Sequence, residues 1–194
     1  MQAIAQEGLT YTRDGYDLGR YEQLRELTAE IYAAHSTVTV EEARDLLALE
    51  TGPATPKVDV RAAVFREGRI LLVKEPGDEG WSLPGGWADV GESASEAAAR
   101  ETLEESGYRV RPVKLLAAYD RDRHGHPPIP YHVYKLMFLC EILDEAPSAE
   151  VDSDEVRFFG EDELPELSIT RVTLAQVSRF FEQHREPDQP TDFD

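Results

Sequence analysis

Basic residues, cysteine and long apolar runs are scarce in this chain, and each shortage excludes a class of protein. Its 194 residues include 20 Lys and Arg against 39 Asp and Glu, a formal net charge of -19. Such a chain is a poor general coat for nucleic acid and binds anionic membranes poorly by electrostatics alone. No apolar run is long enough to span a bilayer, and the first residues lack a signal-peptide pattern. We therefore expect a cytoplasmic protein with no membrane partner and no stable nucleic-acid partner.

The only cysteine, Cys140, lies in the mostly apolar run Leu136–Leu143. It has no disulfide partner within the chain. A thiol in an apolar strand pattern is typical of a buried core residue rather than of a nucleophile. We expect no thiol chemistry here.

The length suits one domain of ordinary size with a small appendage. Residues 1–56 form the appendage, since apolar residues recur there at helical spacing in two short segments. Two short helices cannot bury a core of their own. Their apolar faces therefore pack either on the main domain, as a lid, or on a second chain, as a dimerisation arm. We favour a homodimer formed through these helices.

Residues 52–57, GPATPK, break the helical pattern and predict a linker. The main domain is expected at residues 57–185, and the polar residues 186–194, which contain two prolines, are expected to be a disordered tail. Strand patterns and two main helices alternate along the main domain. They predict an α/β fold with a mixed sheet between helices.

One helix of the main domain has clear signals at both ends. Ser93 followed by Glu96 is a capping box, and Gly107 stands where a left-handed residue would end the helix. The alanines between them favour the helical state.

This helix carries three acids on one narrow face: Glu101, Glu104 and Glu105. Their Cβ atoms are expected about 5–6 Å apart, so the like charges repel. A solvated acidic face is the plain explanation in so acidic a chain. A divalent cation such as Mg²⁺ or Mn²⁺, which prefers carboxylate oxygens, would instead make the arrangement favourable.

The full spacing decides between these explanations. It runs from a glycine through five residues to an acid, seven residues to an Arg-Glu pair, two residues to a Glu-Glu pair, and one residue to a glycine: Gly86, Glu92, Arg100, Glu101, Glu104, Glu105 and Gly107. This pattern resembles the Nudix box. Thr102 departs from it, because an aliphatic residue is usual there.

The resemblance to Nudix hydrolases implies an α/β/α sandwich and metal-dependent hydrolysis of a nucleoside diphosphate linked to some group X. Glu101, Glu104 and Glu105 match family positions that bind Mg²⁺ or Mn²⁺ or activate water, and the identity of the base varies among members. By position, the carbonyl of Gly85 is expected to help coordinate the metal. Arg100, four residues before Glu104, is expected to orient the acids.

A further carboxylate from a loop commonly completes such a site. Within the loop 150–155, EVDSDE, the candidates are Asp152 and Glu155, although solvated loop charge is the plain alternative for each.

The similarity extends over nearly the whole chain to a bacterial subgroup that has an N-terminal helical extension and includes CDP-choline pyrophosphatases. It rests on segments such as TPKVDVRAAVF, LPGGWADVGES and AAYDRDRHGHPPIPYHVYK. The resemblance implies conversion of CDP-choline to CMP and phosphocholine. The alternatives are an ADP-ribose pyrophosphatase, an RNA-end-trimming phosphohydrolase and a catalytically silent nucleotide-binding domain.

Substrate recognition is expected from cationic and aromatic side chains near the box and in the segment 120–135. The cations can meet phosphate oxygens, and the rings can stack on a base or attract a choline trimethylammonium. Exposed loop positions or core packing are the plain alternatives for the same residues. The candidates are Trp81, Trp87, Arg121, His124, Tyr131 and Lys135.

Overall fold

The computed structural model describes residues 1–74, 76–145 and 151–194. The chain divides into two compact units, Met1–Pro56 and Lys57–Asp194. Among the described residues, no helix combines the length and the apolar character that crossing a bilayer requires.

The first unit contains three helices: α1 (Gln2–Tyr11), α2 (Gly15–Ala34) and α3 (Val40–Ala48). The sequence predicted two of them. It missed α1, which has no side-chain cap and no acid in its first turn. The capping box at the start of α3 is present as predicted. The buried apolar side chains shared by α2 and α3 are few: Ala29, Ala43 and Leu47.

The second unit contains one six-stranded sheet in the order β5-β2-β1-β4-β3-β6. The pairs β1–β4 and β3–β6 are parallel and the other neighbours are antiparallel, so the sheet is mixed. The strands are β1 (Lys57–Arg66), β2 (Arg69–Lys74), β3 (Tyr108–Asp120), β4 (Val133–Glu145), β5 (Glu155–Phe159) and β6 (Asp192–Phe193).

Two helices, α4 (Ala94–Ser106) and α5 (Leu174–Arg185), cover opposite faces of the sheet. Ala97 of α4 packs with Val60 of β1, whereas Val177 of α5 packs in a cluster with Ala63. Because side chains alternate along a strand, positions 60 and 63 point to opposite faces. The predicted α/β/α arrangement is confirmed.

Thr102 and Cys140, two polar or reactive side chains in apolar stretches of the sequence, are both buried. The hydroxyl of Thr102 donates to the carbonyl of Ala98 at 2.6 Å, so the polar atom at this usually aliphatic position is satisfied. Cys140 is a core residue, as predicted, and burial raises the pKa of its thiol to about 12.

Residues 186–194 are not the disordered tail that the sequence predicted. β6 pairs with β3, and Asp192 accepts a hydrogen bond from the Tyr119 hydroxyl at 2.9 Å. The Lys114 ammonium donates to the carbonyl of Pro187 at 2.7 Å. Backbone pairing and these side-chain contacts are not visible in the composition of the segment.

Candidate active site

The acidic helix α4 begins and ends as the sequence predicted. Ser93 and Glu96 form both hydrogen bonds of the capping box. Gly107 follows the last turn with φ 72°, and its amide donates to the carbonyl of Leu103 at 2.9 Å. These contacts fix where the helix lies along the chain and therefore which residues share its acidic face.

Arg100 holds three of the carboxylates of the box. Its Nη1 donates to Glu101 Oε1 at 2.9 Å and to Glu104 Oε2 at 3.0 Å. Its Nε and Nη2 donate to the two oxygens of Glu92 at 3.1 and 2.8 Å. Hydrogen bonds that Arg100 donates to Glu92, the largest contributor, and to Glu101 raise its pKa. The guanidinium is thus permanently charged and pairs with these carboxylates, and the pair with Glu104 is the one expected from their four-residue spacing.

Glu105 is the most deeply buried of the three acids on this face, with 8% of its surface exposed. Burial raises the pKa of its carboxyl to about 7, although the amide of Gly85 donates to its Oε2 at 2.9 Å. A carboxyl poised near neutral pH suits a proton acceptor.

The loop that meets Glu105 requires glycine at position 85 and packs closely at position 86. Gly85 has φ 139°, and a Cβ there would lie 2.0 Å from the carbonyl oxygen of Val60. A Cβ at Gly86 would lie 3.1 Å from Glu101 Oε2. The two glycines therefore let the backbone pass between β1 and the acids of α4.

The pKa of Glu101 is raised by burial, against the opposing effect of Arg100.

The loop before β5 meets the same helix through its backbone. The amide of Asp152 donates to the carbonyl of Glu104 at 3.0 Å, and the Asp152 side chain belongs to an exposed residue. Glu155 is the first residue of β5, paired in register with Lys74. Glu150, in the same predicted loop, lies outside the described residues. Asp152 is thus the loop acid next to the box, and a role for either residue stays a prediction.

A cavity of about 580 Å³ lies beside the acids. Glu101 and Glu105 line one part of it together with Gly85 and Gly86. Four cations also line it, in a chain that has few: Arg61, Arg121, Lys135 and Arg171. The cavity therefore offers carboxylates for a metal and cations for an anion within one space.

Three of the lining residues form a buried charge cluster. Asp59 Oδ2 accepts from Arg61 Nη2 at 2.9 Å, and Asp59 Oδ1 accepts from Lys135 Nζ at 2.5 Å. All three residues are at least nine-tenths buried. Asp59 and Lys135 face each other because they are register partners on the parallel strands β1 and β4.

The predicted substrate-binding residues fall into two groups. Arg121 and Lys135 line the cavity, and Trp87, 48% exposed, lines it as well. Trp87 also borders a second cavity of about 280 Å³, which Tyr131 lines together with Lys57. The structure brings these four predicted residues together around two adjoining cavities.

Trp81 and His124 make contacts elsewhere, and a substrate-binding role for either stays a prediction. Trp81 is 7% exposed and packs edge-on against Phe159 in the core, where an apolar ring gains most. His124 bonds Asp194 at 2.9 Å and stacks on Tyr119, so it secures the C-terminal segment. Neither residue lines the two cavities described above.

The donor set on α4 fits a hard divalent cation. Glu101, Glu104 and Glu105 supply carboxylate oxygens, the ligands that Mg²⁺ and Mn²⁺ prefer. Within residues 1–74, 76–145 and 151–194, no three acidic, His or Cys side chains are already arranged around one point. Arg100 already holds one oxygen of Glu101 and one of Glu104. A metal bound here would compete with Arg100 for these oxygens.

Sequence reasoning missed Asp59, Arg61 and Arg171. Asp59 and Arg61 could have been found, because charged residues two apart on a buried strand share one face and need partners. Arg171 left none, because it follows a loop whose path the sequence does not define. Its Nε lies 3.0 Å from Asp78 Oδ2.

Two family models match the chain. Residues 55–179 match the NUDIX domain. Residues 1–47 match the model described as a UDP-X-like, N-terminal oligomerisation domain.

Full-length relatives and solved structures agree with these matches. A Bacillus subtilis (strain 168) protein with the provisional name ADP-ribose pyrophosphatase YjhB is 47% identical over 100% of this chain and 93% of its own. The crystal structure of a UDP-X diphosphatase is 34% identical, covers 100% of this chain and 94% of its own, and gives a TM-score of 0.67. That of a Streptococcus suis 89-1591 ADP-ribose pyrophosphatase is 36% identical, with a TM-score of 0.66 over 72% of this chain and 100% of its own. The chain belongs to the Nudix hydrolase family and carries an N-terminal domain of the UDP-X-like type.

Proposed function

We propose that this pyrophosphohydrolase cleaves the diphosphate of a nucleoside diphosphate linked to X, with CDP-choline as the preferred substrate and CMP and phosphocholine as products. The observation that carries the proposal is the cavity lined by both Glu101 and Glu105 and a set of cations. A diphosphate needs both, because it must be held as an anion while water attacks one phosphorus.

The reaction needs a stronger nucleophile than neutral water and a stabilised leaving group. Nudix hydrolases are generally dependent on a divalent metal, and a bound Mg²⁺ or Mn²⁺ would neutralise phosphoryl oxygens and lower the pKa of water. Glu101, Glu104 and Glu105, with the carbonyl of Gly85, would hold it, and Asp152 or Glu155 would complete the set. Glu105 accepts the proton from the attacking water in this proposal, because it is the most buried of the three acids and lines the cavity. Arg100, which already holds one oxygen of Glu101 and one of Glu104, would share these carboxylates with the metal.

Aromatic side chains beside the main cavity would bind the nucleobase and the group X. Trp87 lies between the two cavities, so a diphosphate beside Glu105 leaves an attached base or choline within reach of the indole. Lys57 Nζ already lies 5.0 Å from the centroid of the Tyr131 ring. Because a second cation there would be repelled, we assign the trimethylammonium to Trp87 and the nucleobase to the Tyr131 cavity.

ADP-ribose is the second candidate, because proteins similar to this chain in Bacillus subtilis and Streptococcus suis carry that substrate in their names. A UDP-linked substrate follows in the same way from the UDP-X diphosphatase. A silent nucleotide-binding domain is disfavoured since Glu101, Glu104 and Glu105 are all present. An RNA-end-trimming role would have to proceed without an extended basic surface.

A substrate panel tests the choice of X. Purified protein with Mg²⁺ or Mn²⁺ is supplied with CDP-choline, ADP-ribose, a UDP-sugar, a dinucleoside polyphosphate and a short RNA, and kcat/KM is measured for each. We expect the highest value for CDP-choline. A value for ADP-ribose or the UDP-sugar more than tenfold higher would reject the choline assignment and keep the reaction class.

We also propose that the chain forms a homodimer through its N-terminal helices. The matching model describes an oligomerisation domain, and this unit exposes large apolar side chains that a partner copy would cover. The clearest are Ile4, Tyr11, Tyr16, Leu18, Leu27 and Ile31. Light scattering on the full chain should give twice the 21.8 kDa monomer mass at micromolar concentration. The double change Leu27→Glu and Ile31→Glu should give a monomer, whereas a monomeric unmodified chain would contradict the proposal.

A further inference from the structure

Two cations share one carboxylate in the wall of the main cavity. Asp59 accepts from both Arg61 and Lys135, and the three residues are 6%, 4% and 1% exposed. When Asp59 is ionised, its single negative charge balances only one of the two cations, so the cluster has one excess positive charge. Burial opposes the ionisation of Asp59, but the attraction of Arg61 and Lys135 outweighs it and lowers the pKa of Asp59. Glu105 and Glu101 attract Arg61, but among the described residues neither acid is hydrogen-bonded to the cluster. The buried excess charge therefore still favours a counterion that bonds the cluster directly.

The cluster retains donors for such a counterion. Among the described residues, Asp59 is the one hydrogen-bond partner of Lys135 Nζ, which leaves two of its three N–H groups for a ligand. Arg61 donates from Nε and Nη2 to Asp59, and from Nη1 to the carbonyl of Leu83 at 3.1 Å. One proton on each Nη remains. Both cations line the cavity.

We infer that Arg61 and Lys135, held together by Asp59, form a receptor that binds one phosphoryl group of the substrate directly, without the metal. The inference rests on the proposed function, since it assigns half of the same diphosphate. Asp59 acts as a positioning residue, whereas Arg61 and Lys135 touch the substrate.

The arrangement of charge favours a phosphoryl group over other ligands. Four N–H donors from two adjacent cations match the several oxygens of a phosphate, and the fork of Arg61 suits bidentate contact. Glu101 and Glu105 line the same cavity and repel the same anion. The substrate is therefore oriented, with one phosphoryl group at the cations and the reacting one at the acids and their metal.

Burial also makes this receptor sensitive to pH. It lowers the pKa of Lys135 to about 8, against the opposing attraction of Asp59. The other charged or titratable groups that act on Lys135 are Arg61, Arg121 and His126. Burial lowers the pKa of His126 to about 4, so it stays neutral at the pH values used here. Lys135 is therefore charged at pH 7 and loses its proton as the pH rises through about 8.

Methylenediphosphonate tests the receptor apart from catalysis, because its P–C–P bridge is not hydrolysed and it carries neither nucleoside nor X. Binding is measured by titration calorimetry in EDTA at pH 7. Replacing Lys135→Met should raise the dissociation constant by about tenfold or more, the usual effect of losing a charged hydrogen bond. Arg111→Met, which removes an exposed cation of β3, should leave it unchanged. Equal binding by the protein and Lys135→Met, or no binding by the protein, would overturn the inference.

The pH dependence identifies the titrating group and the role of Asp59. Between pH 7 and pH 9 the unmodified protein should lose affinity relative to Lys135→Arg, since arginine stays charged and the ligand's own ionisation is common to both. Asp59→Asn should move that loss to lower pH, an effect that mere loss of packing does not produce. Parallel curves for the protein and Lys135→Arg would overturn the inference. A chain that binds methylenediphosphonate in this way yet hydrolyses no nucleotide would refute the proposed function alone.

Discussion

Replacing Glu105 by glutamine is expected to lower kcat by about 10²- to 10⁴-fold, the usual contribution of a general base. Glu104→Gln should also remove most turnover, because a neutral amide is a weaker ligand for a hard cation. Steady-state kinetics at saturating Mg²⁺ measure both changes.

Glu182→Gln is the matched control. Glu182 is a helix glutamate that lies 3.0 Å from Arg179, the same separation as between Glu104 and Arg100. Its replacement removes an equivalent surface ion pair and should leave turnover unchanged. Loss of stability in Glu104→Gln and Glu105→Gln with unchanged activity per folded molecule would contradict the assignment of the acidic face.

The stability of Glu105→Gln in EDTA shows whether the variant folds. It also shows whether burial of the ionised Glu105 carboxylate destabilises the protein. The folded protein raises the pKa of this carboxyl from 4.5 to about 7, so folding favours the protonated form. This contribution to stability is present below pH 4.5 and is lost as the pH rises to 7. Glutamine removes the penalty while still accepting from Gly85. We expect the variant to gain about 3 kcal/mol at pH 8 relative to its effect at pH 4, measured by urea unfolding. An equal effect at both pH values would contradict this environment for Glu105.

Gly85→Ala is expected to cost about 3 kcal/mol or more in the free energy of unfolding and to remove most activity. Its Cβ would lie 2.0 Å from the carbonyl oxygen of Val60 at a backbone φ of 139°. The loop must then move, which breaks the hydrogen bond from the Gly85 amide to Glu105.

Gly91→Ala separates the clash from the backbone strain. Gly91 also has a positive φ, 101°, but no atom lies within 4 Å of a Cβ placed there. We expect a loss of about 1 kcal/mol from this variant, with activity retained. Chemical denaturation and kcat of both variants check the difference. Equal losses of stability and activity would show that Gly85 is needed only for its φ.

Local signals in the sequence were sufficient for α4 and for the family. The capping box at Ser93, the left-handed Gly107 and the spacing of the acids depend on neighbours within a few residues. The same is true of Arg100, whose contact with Glu104 is set by one helical turn. Such features follow from the chain alone.

Contacts between distant segments could not be predicted in this way. Asp59 and Lys135 meet because β1 and β4 are parallel and in one register, which no local pattern specifies. Trp81 and His124 were expected at the site because aromatic and imidazole groups suit a substrate. Phe159 and Asp194, which engage them, lie about 70 or more residues away in the chain.

Hydrolysis of CDP-choline in ¹⁸O-labelled water, followed by mass spectrometry and ³¹P NMR, tests the central claim most directly. Attack on one phosphorus of the bridge should place a single label on CMP or on phosphocholine, release no inorganic phosphate, and stop in EDTA and in Glu105→Gln. Inorganic phosphate as a direct product, or turnover that persists in both EDTA and Glu105→Gln, would contradict hydrolysis by the acids of α4.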